Sequence, residues 1–206
     1  MKIFLDNKRT IIYLNNMRVR DDVKEAALFE ATVKLVNEIG FASSSVSKIA
    51  KEAGVSPATI YVYHKNKEDL LVSTYVQIKL DLSKALLRDF NDQLPIRDIF
   101  RNAWFNMFEY ISNHLEYYKF AEQFSNSPYN ALVNKNEVEQ YFQPLNKVLQ
   151  SGIEQKIIKN VHPDILKAFM YYPITVLANP NLCQNFELNA ENIEAAFTLA
   201  WDAIKL

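Results

Sequence analysis

Three glycines, Gly40, Gly54 and Gly152, are all that this 206-residue chain contains, and they lie far apart. Loops that cradle a nucleotide phosphate need several glycines close together, because only glycine takes positive φ freely and lets the backbone approach a pyrophosphate. β-Sandwiches and barrels need many tight turns of the same kind. The glycine count excludes both. Seven prolines and long periodic apolar stretches point instead to an all-α chain of long helices with few sharp corners.

The length fits one large domain, or a small one joined to a larger, with a core that buries about 70% of the unfolded chain's surface. The single Cys183 excludes an internal disulfide framework and a thiolate zinc cluster, and makes the cytoplasm the simplest compartment. No run of ~18 apolar residues occurs, so no membrane partner is expected. Residues 1–20 read as an N-terminal arm or extension. The apolar pieces Ile3 to Leu5 and Ile11 to Leu14 are split by Asp6, Asn7, Lys8 and Arg9, so no continuous signal-peptide core exists. Met17 stands just before a clean helix start, and residues 1–16 are either an upstream extension of the reading frame or an arm with its own task.

The net charge is −1, with eleven Lys/Arg against nine Asp/Glu in residues 1–75 and twelve against fifteen in the remainder. So weak an asymmetry does not argue for nucleic acid; placement matters more than the total. Asp21 or Asp22 can cap a helix with Val23, Ala26, Ala27, Ala31, Leu35 and Ile39 on its buried face and Gly40 as its stop. Ser44 or Ser45 then caps a short helix from Val46 to Glu52. Ala53-Gly54-Val55 makes a turn, Ser56 caps a third helix, and Pro57 fills its first position, where a missing N–H does no harm.

Two short helices joined by a glycine-centred turn form a helix-turn-helix whose second helix can enter the major groove of DNA. The plainer alternative is an αα-hairpin inside a bundle. Thr59, Tyr61 and Tyr63, with Lys65 and Lys67 just beyond, favour DNA: they bond phosphates and sit where a bundle would want apolar residues.

These residues carry a resemblance. Gly40-Phe41, Val46, Ile49-Ala50, Ala53-Gly54-Val55-Ser56, Thr59-Ile60-Tyr61, Lys67-Glu68 and Leu70-Leu71 make the stretch from Leu28 to Leu71 similar to the DNA-binding domain of TetR-family bacterial transcriptional repressors. His64 departs from the pattern, standing where that family usually has Phe; it either packs or titrates. The resemblance implies that Ser45, Thr59, Tyr63 and Lys67 hold phosphates and that Pro57, Ala58 and Tyr61, behind the cap Ser56, face the groove. Lys48 and Lys51 could add backbone contacts or form a solvated face, and Arg18, Arg20 and Lys24 could reach a neighbouring groove. The third helix has no Arg, Asn or Gln, so contact of Pro57 and Ala58 with thymine methyls, together with DNA shape, would have to carry much of the specificity.

Helical periodicity continues to the C-terminus, giving about nine helices: an arm (1–20), a three-helix DNA-binding domain (21–66) and a larger helical ligand-binding and dimerisation domain (67–206). Asn66 caps the fourth helix, a break is expected at Pro144, and Asn189 caps the last helix. Gly152 has no evident role. Between Pro95 and Phe142 the chain holds more rings than one inward stripe accommodates. They are core, or they line an effector pocket of the kind the resemblance implies, with Trp104, Phe105, Phe108, Tyr118, Phe124, Tyr141 and Phe169 as candidates. Glu109, Glu116 and Glu122 would suit a cationic lipophilic effector or lie on solvated faces. The resemblance also implies a homodimer built by the last two helices, with Phe169, Tyr172, Phe197 and Trp201 as candidate contacts.

The reading is a repressor that binds a pseudo-palindromic operator in double-stranded DNA as a homodimer and is released by a small lipophilic effector. The alternative is a DNA-binding adaptor whose C-terminal domain binds a protein. No cofactor is expected. An enzyme is disfavoured: His64, His114 and His162 are widely separated, no Gly-x-Ser-x-Gly elbow occurs, and Cys183 has no histidine near it in sequence.

Overall fold

The computed structural model describes the backbone from Asn7 and side chains from Asp21 to the C-terminus. The arm side chains, Arg18 and Arg20 among them, and the reading-frame question at Met17 lie outside the described residues. Among the described residues there are ten α-helices, one 3-10 turn over Pro128–Leu132 and no strand. The helices are α1 (Asn7–Ser43), α2 (Val46–Glu52), α3 (Pro57–Tyr63), α4 (Lys67–Leu86), α5 (Ile96–Asn113), α6 (Leu115–Ser125), α7 (Lys135–Tyr141), α8 (Gln143–Glu154), α9 (Pro163–Leu177) and α10 (Ala190–Ile204).

Among the described residues two compact units emerge: those up to Tyr75 with 122–131, and residues 76–121 with 132–206. The first therefore takes in the beginning of α4, and also the end of α6 with the 3-10 turn, which no linear boundary after residue 66 would capture.

In the first unit, the Ser45 hydroxyl accepts from the Lys48 N–H and the Ser56 hydroxyl from the Thr59 N–H, each at 3.3 Å, satisfying one orphan donor at each helix start. Gly54 turns the chain between α2 and α3 at φ +67°. Gly40 interrupts α1 at φ 75°, ψ 167°, a conformation essentially restricted to glycine. Its carbonyl then accepts from both the N–H and the hydroxyl of Ser44, at 3.2 and 2.7 Å.

The core is Leu28, Ala31, Ile49, Ala50, Ile60 and Leu70. This corrects the expected α1 stripe. Val23 is 63% exposed, Ala26 and Ile39 are exposed too, and Ala27 is only half-buried. Leu28, omitted from that stripe, is the anchor. The stripe is rotated because a second set, Val33 and Val36, is buried as well, so α1 has two inward faces and one helical period cannot describe both. Phe124 and Tyr129 belong to this unit: Phe124 stacks on Tyr75 at 4.4 Å between ring centroids, and Tyr129 meets Phe41 at 5.4 Å.

The second unit has the larger core. From α5 it takes Ile99, Phe100, Ala103, Trp104, Met107, Phe108 and Ile111, and from α10 Phe197, Ala200, Trp201 and Ile204. The expected break at Pro144 divides one long helix into α7 and α8, and Asn66 and Asn189 act as the caps the sequence suggested.

Gly152 now has a role. A Cβ there would lie 2.6 Å from Ile158 Cδ1, and its carbonyl accepts from both Ile157 and Ile158 N–H as the chain folds back after α8. An antiparallel bridge from Ile158 to Lys205 then fastens the C-terminus.

Candidate nucleic-acid interface and effector cleft

Helix α3 turns Ile60 wholly into the core, holds Thr59 and Tyr63 half-buried, and leaves Pro57, Ala58, Tyr61 and Val62 in solvent. A rotation of about 100° per residue produces this division. Ser45, Lys48, Ser56, Pro57, Ala58 and Tyr61 lie exposed as a DNA interface requires.

Several of the polar candidates are already engaged. Ser56 Oγ and Thr59 Oγ1 are hydrogen-bonded at 2.9 Å, the Tyr63 hydroxyl donates to Asp21 at 3.0 Å, and Lys67 Nζ donates to the Phe41 carbonyl beside the Gly40 kink. Lys48 Nζ donates to the Ser43 carbonyl at 3.1 Å. Tyr63 and Lys67 thus bind the scaffold together, with the remaining lysine protons available outward. Lys24 pairs with Asp21 at 3.6 Å.

His64 closes α3. Burial pulls its ring below the ordinary histidine range against the opposing pull of Asp69 and Glu25. Its Nδ1 lies 3.2 Å from Ser73 Oγ. That hydroxyl already donates to the Leu70 carbonyl, so the ring Nδ1–H is the donor. The ring packs and hydrogen-bonds where a Phe could only pack.

A cleft of about 320 Å³ opens in the second unit. Its apolar walls are Phe105 and Phe108 of α5, Leu188 before α10 and Ile193 on it; Arg88, Asn106, Glu109, Ser112 and Asn113 complete it. Arg88 Nη2 donates to Asn106 Oδ1 and to Glu109, and the guanidinium holds the Glu109 carboxyl below the usual carboxylate range. Arg101 braces the same face, donating to Glu194 of α10 at 2.7 Å and lying 4.5 Å over the Phe105 ring. The Ser112 hydroxyl is buried and has no hydrogen-bond partner. Elsewhere in this unit Lys79 lies 5.7 Å over the Phe142 ring, and burial lowers its ammonium below the usual lysine range.

Of the seven rings proposed for a pocket, the structure brings only Phe105 and Phe108 together in the cleft. Trp104 is sealed in the core against Phe197. Tyr118 packs half-buried on that core, Phe124 belongs to the other unit, Tyr141 donates to Glu137 at 3.2 Å, and Phe169 is exposed. The ring surplus arose because two separate cores draw on one stretch of sequence. Nor is Glu109 a bare carboxylate awaiting a cation: it is paired with Arg88, and Glu116 is paired with Lys119 at 2.6 Å.

On the last two helices, Phe169 and Tyr172 are 58% and 69% exposed, whereas Phe197 and Trp201 are at 0% and 5%. The latter two are corrected from partner contacts to core, since their rings meet Trp104 and Phe100 of their own chain.

A family model described as "Tetracyclin repressor-like, C-terminal domain" matches residues 95–205, more than half the chain. The chain belongs to the TetR family. A second model, "Bacterial regulatory proteins, tetR family", matches residues 28–74, which include the helix-turn-helix. A TetR family transcription regulator from Marinobacter aquaeolei VT8 is 35% identical, with 91% of this chain and 98% of that chain covered and a TM-score of 0.85. The fatty acid metabolism regulator protein of Bacillus subtilis is 50% identical over 75 residues, 36% of this chain and 39% of its own. The fold is also shared with FadR of B. subtilis in complex with stearoyl-CoA, at 20% identity, TM-score 0.64 and coverage of 85% and 95%.

This TetR-family protein is thus a DNA-binding transcriptional regulator and not an enzyme, and among the described residues no helix is long and apolar enough to cross a membrane. Sequence reasoning missed two things about it. Val62 shares the outer face of α3 with Pro57, Ala58 and Tyr61, which the helical angle alone would have indicated. The Arg88–Glu109 pair joins residues 21 apart, a contact that leaves no mark in local periodicity.

Proposed function

We propose that the protein is a ligand-responsive repressor: a homodimer binds a pseudo-palindromic operator through its two α3 helices and is released when a small lipophilic effector occupies the second unit. The cleft carries this reading. Its apolar walls with a few convergent polar groups are the usual make-up of a small-molecule site, at the lower end of the usual size range, and it favours a small molecule over the adaptor alternative.

The homodimer rests on a stripe on α9. Ile165, Phe169, Tyr172 and Val176 recur at four, three and four residues, and all are exposed, as is Leu199 of α10. Two recognition helices ~34 Å apart would then read successive turns of one DNA face.

The pairing of Glu109 and Glu116 argues against a cationic effector. The Arg88 guanidinium on the cleft wall, bonded only through Nη2 and with Nε and Nη1 unused, favours an amphiphile with an anionic group. Stearoyl-CoA, bound by the B. subtilis structural neighbour, is the first compound of that class to try. An effector can release DNA only by as much as it prefers the non-binding conformation, typically about 1–3 kcal/mol of coupling.

Operator affinity measured with and without saturating stearoyl-CoA tests the mechanism, alongside calorimetry to establish that the compound binds. Affinity should fall about 5- to 150-fold. Binding of the compound with operator affinity unchanged would eliminate it as an inducer, and the same result for every ligand that binds would eliminate induction. Phe169→Glu with Tyr172→Glu should convert a dimer into a monomer in sedimentation; a persisting dimer would remove α9 from the interface.

A further inference from the structure

We propose that the operator half-site is read chiefly through thymine methyl groups, by Pro57, Ala58 and Val62, with Val62 as a specificity-determining residue. The proposal deepens the DNA-binding reading and rests on it.

The outward face of α3 is apolar at each position apart from the Tyr61 hydroxyl. Tyr61 is 58% and Val62 76% exposed, and Pro57 and Ala58 beside them are open to solvent. Side chains that read base edges by hydrogen bonding are Arg or Lys for guanine, Asn or Gln for adenine, and Asp or Glu for cytosine. None stands on this face. The polar groups near it are turned to other work: Thr59 is bonded to Ser56, Tyr63 to Asp21, and the Asn66 carbonyl oxygen caps α4 by accepting from the Asp69 N–H at 2.8 Å.

The major groove offers such a face one apolar, base-specific feature, the 5-methyl of thymine, which protrudes next to a hydrogen-bonding edge that the other bases present bare. Val62 presents two methyl groups on a stiff, β-branched side chain, so little rotamer freedom is lost on contact. Its exposure has no use within its own unit, whose core is completed by Ile60 on the opposite side of the same helix. Lys65, exposed just past the helix end, is placed for phosphates, which position the reader without reading sequence.

The test begins with the full-length protein selecting duplexes from a random pool. The selected site is resynthesised with each thymine replaced singly by deoxyuridine, which removes the methyl and keeps every hydrogen-bonding group. Affinities are measured by fluorescence anisotropy at one salt concentration. Two or three positions in each half-site should weaken about fourfold each, roughly the worth of burying one methyl group. Val62→Ala should abolish the uridine penalty at one of those positions while the thermal melting curve stays unchanged, which separates lost contact from lost fold. The proposal is overturned if no position responds, or if Val62→Ala leaves every penalty intact. A selection that enriches no sequence would overturn it by removing the sequence-specific DNA binding on which it stands.

Discussion

Helices α3 and α5 treat their polar side chains in opposite ways. On α3 the polar groups of Thr59 and Tyr63 are hydrogen-bonded within the first unit, leaving an apolar outer face. On α5 the Trp104 N–H, the Tyr110 hydroxyl and the Ser112 hydroxyl are all buried, and none has a partner. A buried polar group left unpaired costs about 1–3 kcal/mol, so α5 carries stored cost that α3 does not. The contrast suits a rigid reader of a groove of fixed shape and a helix with spare bonding capacity beside a cleft.

The largest test of the contrast is Trp104→Ala. With its ring fully buried against Phe197, truncation should destabilise the chain by about 3–5 kcal/mol in urea unfolding. Val62→Ala on α3 should remain within about 0.5 kcal/mol of the parent. Comparable losses at the two sites would abolish the distinction between a load carried by core packing and an outer face free for contact.

The glycines divide along the same line. Gly40→Ala should cost about 1–3 kcal/mol from backbone conformation alone, since nothing lies within 4 Å of a Cβ added there. Gly152→Ala should cost a similar amount, about 1–3 kcal/mol, through overpacking against Ile158. The causes separate in a double mutant: Ile158→Val, which removes the Cδ1 that an added Cβ would strike, should recover part of the Gly152→Ala loss and none of the Gly40→Ala loss. Additivity of Gly152→Ala with Ile158→Val would refute the steric account.

The first unit was more legible in the sequence than the second, and the reason is physical. Caps, a glycine turn and a proline at a helix start are local signals, so a serine at 44 or 45, Gly54, Ser56 and Pro57 announced α2 and α3 before any tertiary contact was known. Long-range packing is not local. The sequence placed Phe197 and Trp201 together on the last helix but could not say whether they met their own chain or a partner. It grouped Phe124 with Phe108 because they are close in sequence, although one belongs to the first unit and the other lines the cleft of the second. The α1 stripe failed for a related reason: two buried faces on one helix mix their periods, and Leu28 was lost between them.

Single hydroxyls give a smaller effect, of opposite sign on the two helices. Ser112→Ala removes an unpaired buried group and should be neutral or stabilising. Tyr63→Phe removes a hydroxyl that donates to Asp21 and should destabilise by about 0.5–1.5 kcal/mol. If Ser112→Ala destabilised as much as Tyr63→Phe, the Ser112 hydroxyl would have to have a partner after all, and α5 would lose part of its contrast with α3.

The smallest expected effect is at the end of α3, where the His64 ring is built into this rigid reader. Burial lowers its folded-state pKa below the ordinary value of 6.5. In the window between that value and the lower folded one, the unfolded chain therefore binds more protons than the folded chain. Stability is fully present above about pH 6.5 and declines as pH falls through that window. Asp69, with Oδ2 at 3.9 Å from Nδ1, and Glu25 pull the other way and keep the decline shallow. His64→Phe removes the titration, so the stability of the variant relative to the parent should rise as pH is lowered from 7 to 5 and be flat above 7. A relative stability that fell on acidification would mean that the protonated ring is favoured in the fold, with Asp69 outweighing burial. His64 would then be an acid-strengthened clasp on the recognition helix.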